Sequence, residues 1–403
     1  MSKVYIVAAK RTATGVQLGT LKDVKAPLLG AAVVKQMLTD VKLDPKNVDE
    51  VFFGEIFTAG VGGGPARQTA IYAGIPNEIT ASAVNMLCAS GMKAIIHGFT
   101  YIKAGFRDVV VAGGQESMTQ APYLIPGVKA RSGIKMGDWK VQDHMLYDGL
   151  VDIFYNYHMG VTAENIAKQY GITRQEQDEF AWNSTVKAIK AIDSGVFDAE
   201  IVPIPVKTRK GEILFSRDET ANRTTSLEKM GTLRTAFSKD GTITAASSSS
   251  INDGASGVIL MSEEACKKYN CKPLVEVIAF GQAGVDPSVM GLGPVPAIRD
   301  ALKRAKMELK QMDLIELNEA FAAQSIACIR DLAKEHGVSK EWIMERCNVN
   351  GGAIALGHAV GSSGSRITVT LIHELKRRNG EYGLASLCVG GGMGATLIVK
   401  NVK

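Results

Sequence analysis

The chain has 403 residues, of which 46% are hydrophobic, 22% charged and 42 glycine. This exceeds one ordinary core and predicts a well-packed soluble α/β protein of more than one domain, excluding a disordered chain or a repeat array. A formal net charge of +5 is mild, which argues against a nucleic-acid partner and leaves room for an anionic small substrate.

Cys88, Cys266, Cys271, Cys328, Cys347 and Cys388 make no CxxC pair. No histidine accompanies Cys266 and Cys271, so neither a disulfide framework nor a metal site is expected. The opening MSKVYIVAAKRT enters a strand pattern without a leader-like apolar region, and no apolar run is long enough to span a membrane. The expected location is cytoplasmic.

Val4 to Ala9 reads as a strand buried on both faces, and no G-x-G-x-x-G follows it. Leu28 to Met37 has a helical pattern, and Val51 to Phe53 marks a second strand. Cys88 opens a helical stretch to about Lys103, and Asp108 to Ala112 is a buried strand ending in Gly113 and Gly114.

Composition then changes. Residues 118–248 carry Met, Pro, Tyr, Trp and basic clusters such as Lys207, Arg209 and Lys210, with one helix over Thr162 to Lys190. They read as an inserted loop domain. The α/β pattern resumes at Asn252 to Met261, so the expected organisation is 1–117 plus 249–271, then 118–248, then 272–403.

An internal repeat supports two similar α/β halves. VDEVFFGEIF (Val48 to Phe57) resembles MDLIELNEAF (Met312 to Phe321). Each is followed by a Val-Asn pair, a Ser-Gly pair, a helix, a strand and a glycine cluster. A site at the junction of the halves is expected.

Four positions carry candidate chemistry. Cys88, before a helix, has the helix dipole to lower its pKa and make it nucleophilic, or is simply a small buried hydrophobe. His358 lies in NVNGGAIALGHAVGSSGSR among Gly351, Gly352, Gly357, Gly361 and Gly364. The loop lacks the lysine of a phosphate-binding loop, and an imidazole with near-neutral pKa there suits a general base; the alternative is a satisfied histidine in a glycine-rich turn. Cys388 precedes Gly390, Gly391 and Gly392, whose bare N–H groups could hold an oxyanion; a core cysteine before a turn is the alternative. Asn318, after the strand Leu314 to Leu317, could polarise a carbonyl or cap a helix.

Together these segments resemble the thiolase family. NMLCASGMKA, AGGQESMTQAPY, HMGVTAENIA, INDGAS, NEAFAAQ, NGGAIALGHAVGSSGSR and CVGGGMGATLIV follow one another in family order from about residue 85 to 400. Length and the YHMGVTAEN segment are most similar to the biosynthetic, acetoacetyl-CoA-forming branch. The resemblance implies a layered αβαβα fold with an inserted loop domain, and acyl transfer between coenzyme A thioesters with no tightly bound cofactor.

It also implies roles. Cys88 would carry the acyl group, His358 would activate that thiol, and Cys388 would move the α-proton of the second acetyl-CoA. Asn318, through a water, and His358 would form one oxyanion site; the N–H groups of Cys88 and Gly390 would form the other. His158 and Met159 match the loop over the pantetheine, Ser249 a pantetheine contact, and Arg223 and Lys229 weaker candidates for the nucleotide phosphates. A homo-oligomer, dimer or tetramer, and a place in fatty acid metabolism are implied as well. The chemistry explains two thiols: a Claisen condensation needs one sulfur to hold the acyl electrophile and another base for a weakly acidic carbon.

Close rivals are a degradative 3-ketoacyl-CoA thiolase, using the same residues on longer chains, and a non-catalytic acyl-CoA- or lipid-binding module. A decarboxylating relative would want a second histidine in place of Asn318. Three segments depart from the family pattern: Ala359 stands where proline is usual in GHPxG, TAASSSS (Thr244 to Ser250) replaces TAGNAS, and Thr235 replaces the proline of LRPAF. The first is expected to loosen the loop behind His358.

Overall fold

The computed structural model of the chain describes residues 3–133 and 136–403. Met1 and Ser2, where the leaderless reading begins, lie outside them. Strand β1 (Val4–Thr12) leaves only Tyr5 and Lys10 partly open, as its continuous apolar run requires. Helix α1 (Ala26–Asp40) begins with Pro27 in its first turn, where the missing N–H costs nothing, and buries Leu29, Val33, Val34 and Met37.

The two halves share one connectivity. Strand β2 (Glu50–Gly54) pairs in parallel with β3 (Thr80–Val84) and with β4 (Val109–Ser117). β4 pairs antiparallel with β5 (Asn252–Ser262), which pairs antiparallel with β1. In the second half β6 (Val275–Gly284) takes the place of β1. Strand β7 (Leu314–Leu317) pairs in parallel with β8 (Tyr382–Val389) and bridges in parallel from Ile315 to Cys347, where the first half has β3. β8 pairs antiparallel with β9 (Met393–Asn401), and β9 with β6. Pairs Tyr5–Glu276 and Ile6–Val275 join the halves into one sheet of eleven strands.

Helices complete the layers. α1 and α2 (Pro65–Tyr72) cover the outer face of the first half, and α6 (Pro294–Ala305) with α7 (Ala322–His336) that of the second. Between the halves α3 (Ser90–Lys103) packs on α8 (Val360–Arg378). The order is αβαβα. A Cβ on Gly91 would meet Ser365 Oγ at 2.5 Å, and one on Gly364 would meet Met92 N at 2.7 Å, so glycine allows the two helices to touch. Because α8 is covered on every side, Ser362, Ser363, Ser365 and Arg366 are all buried; solvent-averse periodicity could not have located this helix.

The long segment between β4 and β5 occupies the position where the second half has only a tight turn, with Gly391 and Gly392 at φ 75° and 83°. It carries α4 (Met159–Tyr170) and α5 (Arg174–Asp193). The single helix expected over Thr162 to Lys190 is therefore two. Gly171 turns left-handed at φ 60°, and Thr173 with Glu176 builds a capping box for the second helix. Buried Arg11 of β1 anchors this segment, with Nε 2.5 Å from Glu200 and two nitrogens 2.7 and 2.9 Å from Asp218. Among the described residues no helix is long and apolar enough to cross a membrane, and no three metal-ligating side chains gather.

Candidate active site

A cavity of about 430 Å³ opens between the insertion and both halves, with Cys88, His358 and Gly390 in its wall. Cys88 sits on a tight turn, not inside the helix expected to begin there: α3 starts at Ser90. The preceding Leu87 has φ 47°, a left-handed conformation unfavourable for a branched residue. Ser90 sustains it, its hydroxyl accepting from Met86 N at 2.9 Å and donating to Leu87 O at 2.6 Å. The strained turn presents the sulfur to the cavity.

The backbone N–H dipoles of Gly390 and of Cys88 itself favour the anion of this sulfur. Burial outweighs them and pushes the thiol up to about 11. The expectation of a thiol acidified by the helix terminus is therefore corrected. Water exclusion is the larger effect, and the sulfur rests as a thiol.

His358 enters α8 from the opposite half. Its N–H donates to Asn252 Oδ1 at 2.8 Å, and its Nδ1 lies 2.6 Å from Ser363 Oγ. Ser363 has one proton, and its oxygen lies 2.9 Å from Ala359 O. Giving that proton to the carbonyl makes Nδ1–H the donor to Oγ and satisfies both contacts, so Nε2 is the bare nitrogen. Burial, with Arg366 adding to it, pulls the imidazole down to about 3. The near-neutral pKa expected from the residue type is corrected downward, opposite to that of Cys88 but with the same outcome: both groups rest uncharged.

Cys388 ends β8 and is 1% exposed. It does not line the cavity but packs one layer behind, in the cluster of Met159, Met290 and Phe321 whose members do. Burial raises its thiol well above the ordinary value, and the neighbouring Cys88 adds to this. Asn318 follows β7, its N–H donating to Ser386 O at 2.9 Å. Its side-chain amide is buried with neither atom partnered among the described residues. Helix capping, the alternative use, is thus not what the amide does.

The insertion supplies one wall. His158 Nδ1 caps α4 by accepting from Gly160 N at 3.0 Å, and its ring stacks on Phe237 at 4.7 Å. Burial lowers its pKa. Met159 and Ser249 also line the cavity, and Ser249 Oγ donates to Ala320 O at 3.1 Å. Arg223 and Lys229 are not brought there. Arg223 forms a two-pronged pair with Asp193 at 2.7 and 2.9 Å, and Lys229 Nζ donates to Thr224 O at 2.7 Å. Both spend their charge locally, as solvated surface residues do.

Sequence reasoning passed over Ser363, Asn252 and Glu116. Ser363 and Asn252 fix His358, but they look like ordinary members of a serine-rich and a glycine-rich segment. Glu116 had a signal: a polar Gln-Glu-Ser triplet closes the otherwise apolar and small-residue strand β4, all of it buried.

Comparison with known proteins accords with this architecture. Residues 4–264 match the model of the thiolase N-terminal domain, and residues 271–401 that of the C-terminal domain. The acetyl-CoA acetyltransferase of Pseudomonas aeruginosa is 51% identical over 98% of this chain and 99% of its own, and that of Cupriavidus necator 49% identical over 99% and 100%. Among solved structures, the Bacillus anthracis acetyl-CoA acetyltransferase superposes with a TM-score of 0.94 at 42% identity, covering 100% of this chain and 99% of that one. Human mitochondrial 3-ketoacyl-CoA thiolase gives the same TM-score, identity and coverage. With both domain models matched and relatives of half identity spanning its length, the chain belongs to the thiolase family.

Proposed function

We propose that this chain is an acetyl-CoA C-acetyltransferase, interconverting two acetyl-CoA with acetoacetyl-CoA and coenzyme A through an acyl-Cys88 intermediate. The observation that carries the reading is the meeting of Cys88, the N–H of Gly390 and the bare nitrogen of His358 in one largely apolar cavity. The relatives named acetyl-CoA acetyltransferase support the choice of acyl group.

In the first half-reaction the Cys88 sulfur attacks the thioester carbon as its proton passes to His358 Nε2. Because both groups rest neutral, proton transfer accompanies attack instead of preceding it. The coenzyme A sulfur leaves and receives that proton. In the second, Cys388 gives its own proton to His358 Nε2 and as the thiolate takes the α-proton of acetyl-CoA. The carbon attacks the acyl-Cys88 carbonyl, and the expelled Cys88 sulfur recovers its proton from His358. Oxyanion charge develops at two places, one served by His358 with Asn318 through a water, the other by the N–H groups of Cys88 and Gly390. His158, Met159 and Ser249 are assigned to the pantetheine arm, and Arg223 and Lys229, exposed on the insertion, to the nucleotide phosphates.

The proposal includes a division at 1–117 plus 249–271, 118–248 and 272–403, a homodimer or homotetramer, a cytoplasmic location and a role in fatty acid metabolism. The second reading, a degradative 3-ketoacyl-CoA thiolase, draws on the likeness to the human mitochondrial protein. Thiolysis with coenzyme A of acetoacetyl-CoA and of a ten-carbon 3-ketoacyl thioester separates them. Rapid cleavage of the short substrate alone is expected. Comparable cleavage of the long one moves the chain to the degradative class, and cleavage of neither returns it to a binding module.

A further inference from the structure

Glu116 is fully buried on β4 and lies outside the reaction described above. One of its oxygens accepts from Ile56 N at 3.0 Å and from Gly361 N at 2.9 Å, and the other from Phe57 N at 3.2 Å. These donors come from different halves. Ile56 and Phe57 follow β2 and belong to the apolar cluster that packs on Cys88, together with Val360. Gly361 lies in the first turn of α8, just beyond His358. A Cβ on Gly361 would meet the Glu116 oxygen at 2.4 Å and Glu55 Cα at 3.0 Å, so the contact needs a residue without a side chain.

We propose that Glu116 is a positioning residue, whose carboxylate fixes the His358-bearing end of α8 against the wall that packs on Cys88. Three backbone donors on one carboxyl group form a clamp across the junction of the halves, and above about pH 8, where the group is ionised, each of these bonds exceeds a neutral one in strength. The carboxylate faces Glu55 just after β2 and Cys88 from the turn before α3, and when ionised it raises the Cys88 pKa by its negative charge. Burial and Glu55 push Glu116 itself up to about 8, while its three N–H donors act the other way. Glu116 thus makes the nucleophile less acidic, an electrostatic cost that a residue serving alignment can carry.

This inference rests on the acyl-transfer reading, and the test separates the two. Glu116→Gln keeps size but replaces one acceptor oxygen by a donor, which opposes an N–H. Thiolysis of acetoacetyl-CoA and alkylation of Cys88 by iodoacetamide are both followed at pH 9, above the titration of Glu116 and below that of the thiol. The other cysteines are buried, and peptide mass identifies the labelled site. The expected result is a kcat lower by about tenfold or more with KM changed less than about threefold, while alkylation becomes faster because a negative charge is gone. A more reactive thiol in a slower enzyme is not what a merely structural defect produces. Unchanged kcat, or kcat and alkylation falling together, overturns the proposal. Glu116→Asp, too short to span the three donors, is expected to lose kcat without the gain in alkylation. If neither variant gives a cooperatively melting protein, the carboxylate is structural and the proposal fails. If the unaltered protein shows no thiolysis, it is the acyl-transfer reading that falls.

Discussion

His358 Nδ1 and Ser363 Oγ lie 2.6 Å apart across the N-terminus of α8, and the hydroxyl donates its hydrogen bond to Ala359 O. Geometry therefore assigns the imidazole its tautomer. Removing the hydroxyl leaves a buried Nδ1–H without an acceptor and frees the ring to turn or to exchange tautomers. Ser363→Ala is expected to lower kcat by about tenfold to a hundredfold with little change in KM, since orientation of a general base is what is lost. A variant within twofold of the original in steady-state thiolysis contradicts the assignment.

The electrostatics of Cys88 and His358 lead to a second expectation. Burial raises the thiol to about 11 and lowers the imidazole to about 3, so no thiolate–imidazolium pair exists in the free protein at neutral pH. The rate of Cys88 alkylation without substrate should therefore keep rising from pH 7 to pH 10. A preformed ion pair would instead give a plateau beginning near pH 6. Stopped-flow labelling across this range distinguishes them.

Much of this organisation was legible in the sequence. The repeat of Val48 to Phe57 in Met312 to Phe321 appears as β2 and β7 with matching parallel partners, because a repeated strand pattern repeats its pairing. Cys88, His358 and Gly390 announced themselves through glycine density and strand–helix junctions. What could not be read was burial. The same residue types that are acidified or neutral in water are shifted in opposite directions once the insertion closes over them, and no local motif encodes that. Arg223 and Lys229 illustrate the converse: charge in the inserted segment is visible, but Asp193 as the partner of Arg223 is distant in sequence. The break at Gly171 was written in the chain, as a glycine followed by Thr173 and Glu176, and the continuous helical pattern around it concealed it.

Ala359 was expected to loosen the loop behind His358. It stands at φ −69°, within the range that proline imposes, and its N–H makes no hydrogen bond among the described residues. Asn252 and Ser363 already hold the loop. Ala359→Pro should thus be accommodated and stabilise the protein by about 0.4–1 kcal/mol through the unfolded chain, with thiolysis preserved. Thermal melts and kcat check both parts; a loss of stability means the N–H or the ring has a role that the geometry does not reveal.

Glu316 on β7 is buried, and its oxygen 4.0 Å from Arg366 Nη1 has no hydrogen bond among the described residues. Burial pushes its carboxyl up to about 8, against the opposing pull of Arg366. The sign follows from linkage. A carboxyl that keeps its proton to about pH 8 when folded, but loses it near 4.5 when unfolded, binds more protons in the native state throughout that interval. Its contribution to stability therefore declines as pH rises from 4.5 to 8. Glu316→Gln, which mimics the protonated form in shape and polarity, removes this dependence. The variant should lose less Tm than the original protein between pH 5.5 and pH 8.5, and should match or exceed it at the upper pH. A steeper decline would mean that the Glu316 anion and Arg366 form a net stabilising pair despite their burial, the opposite balance of desolvation and attraction.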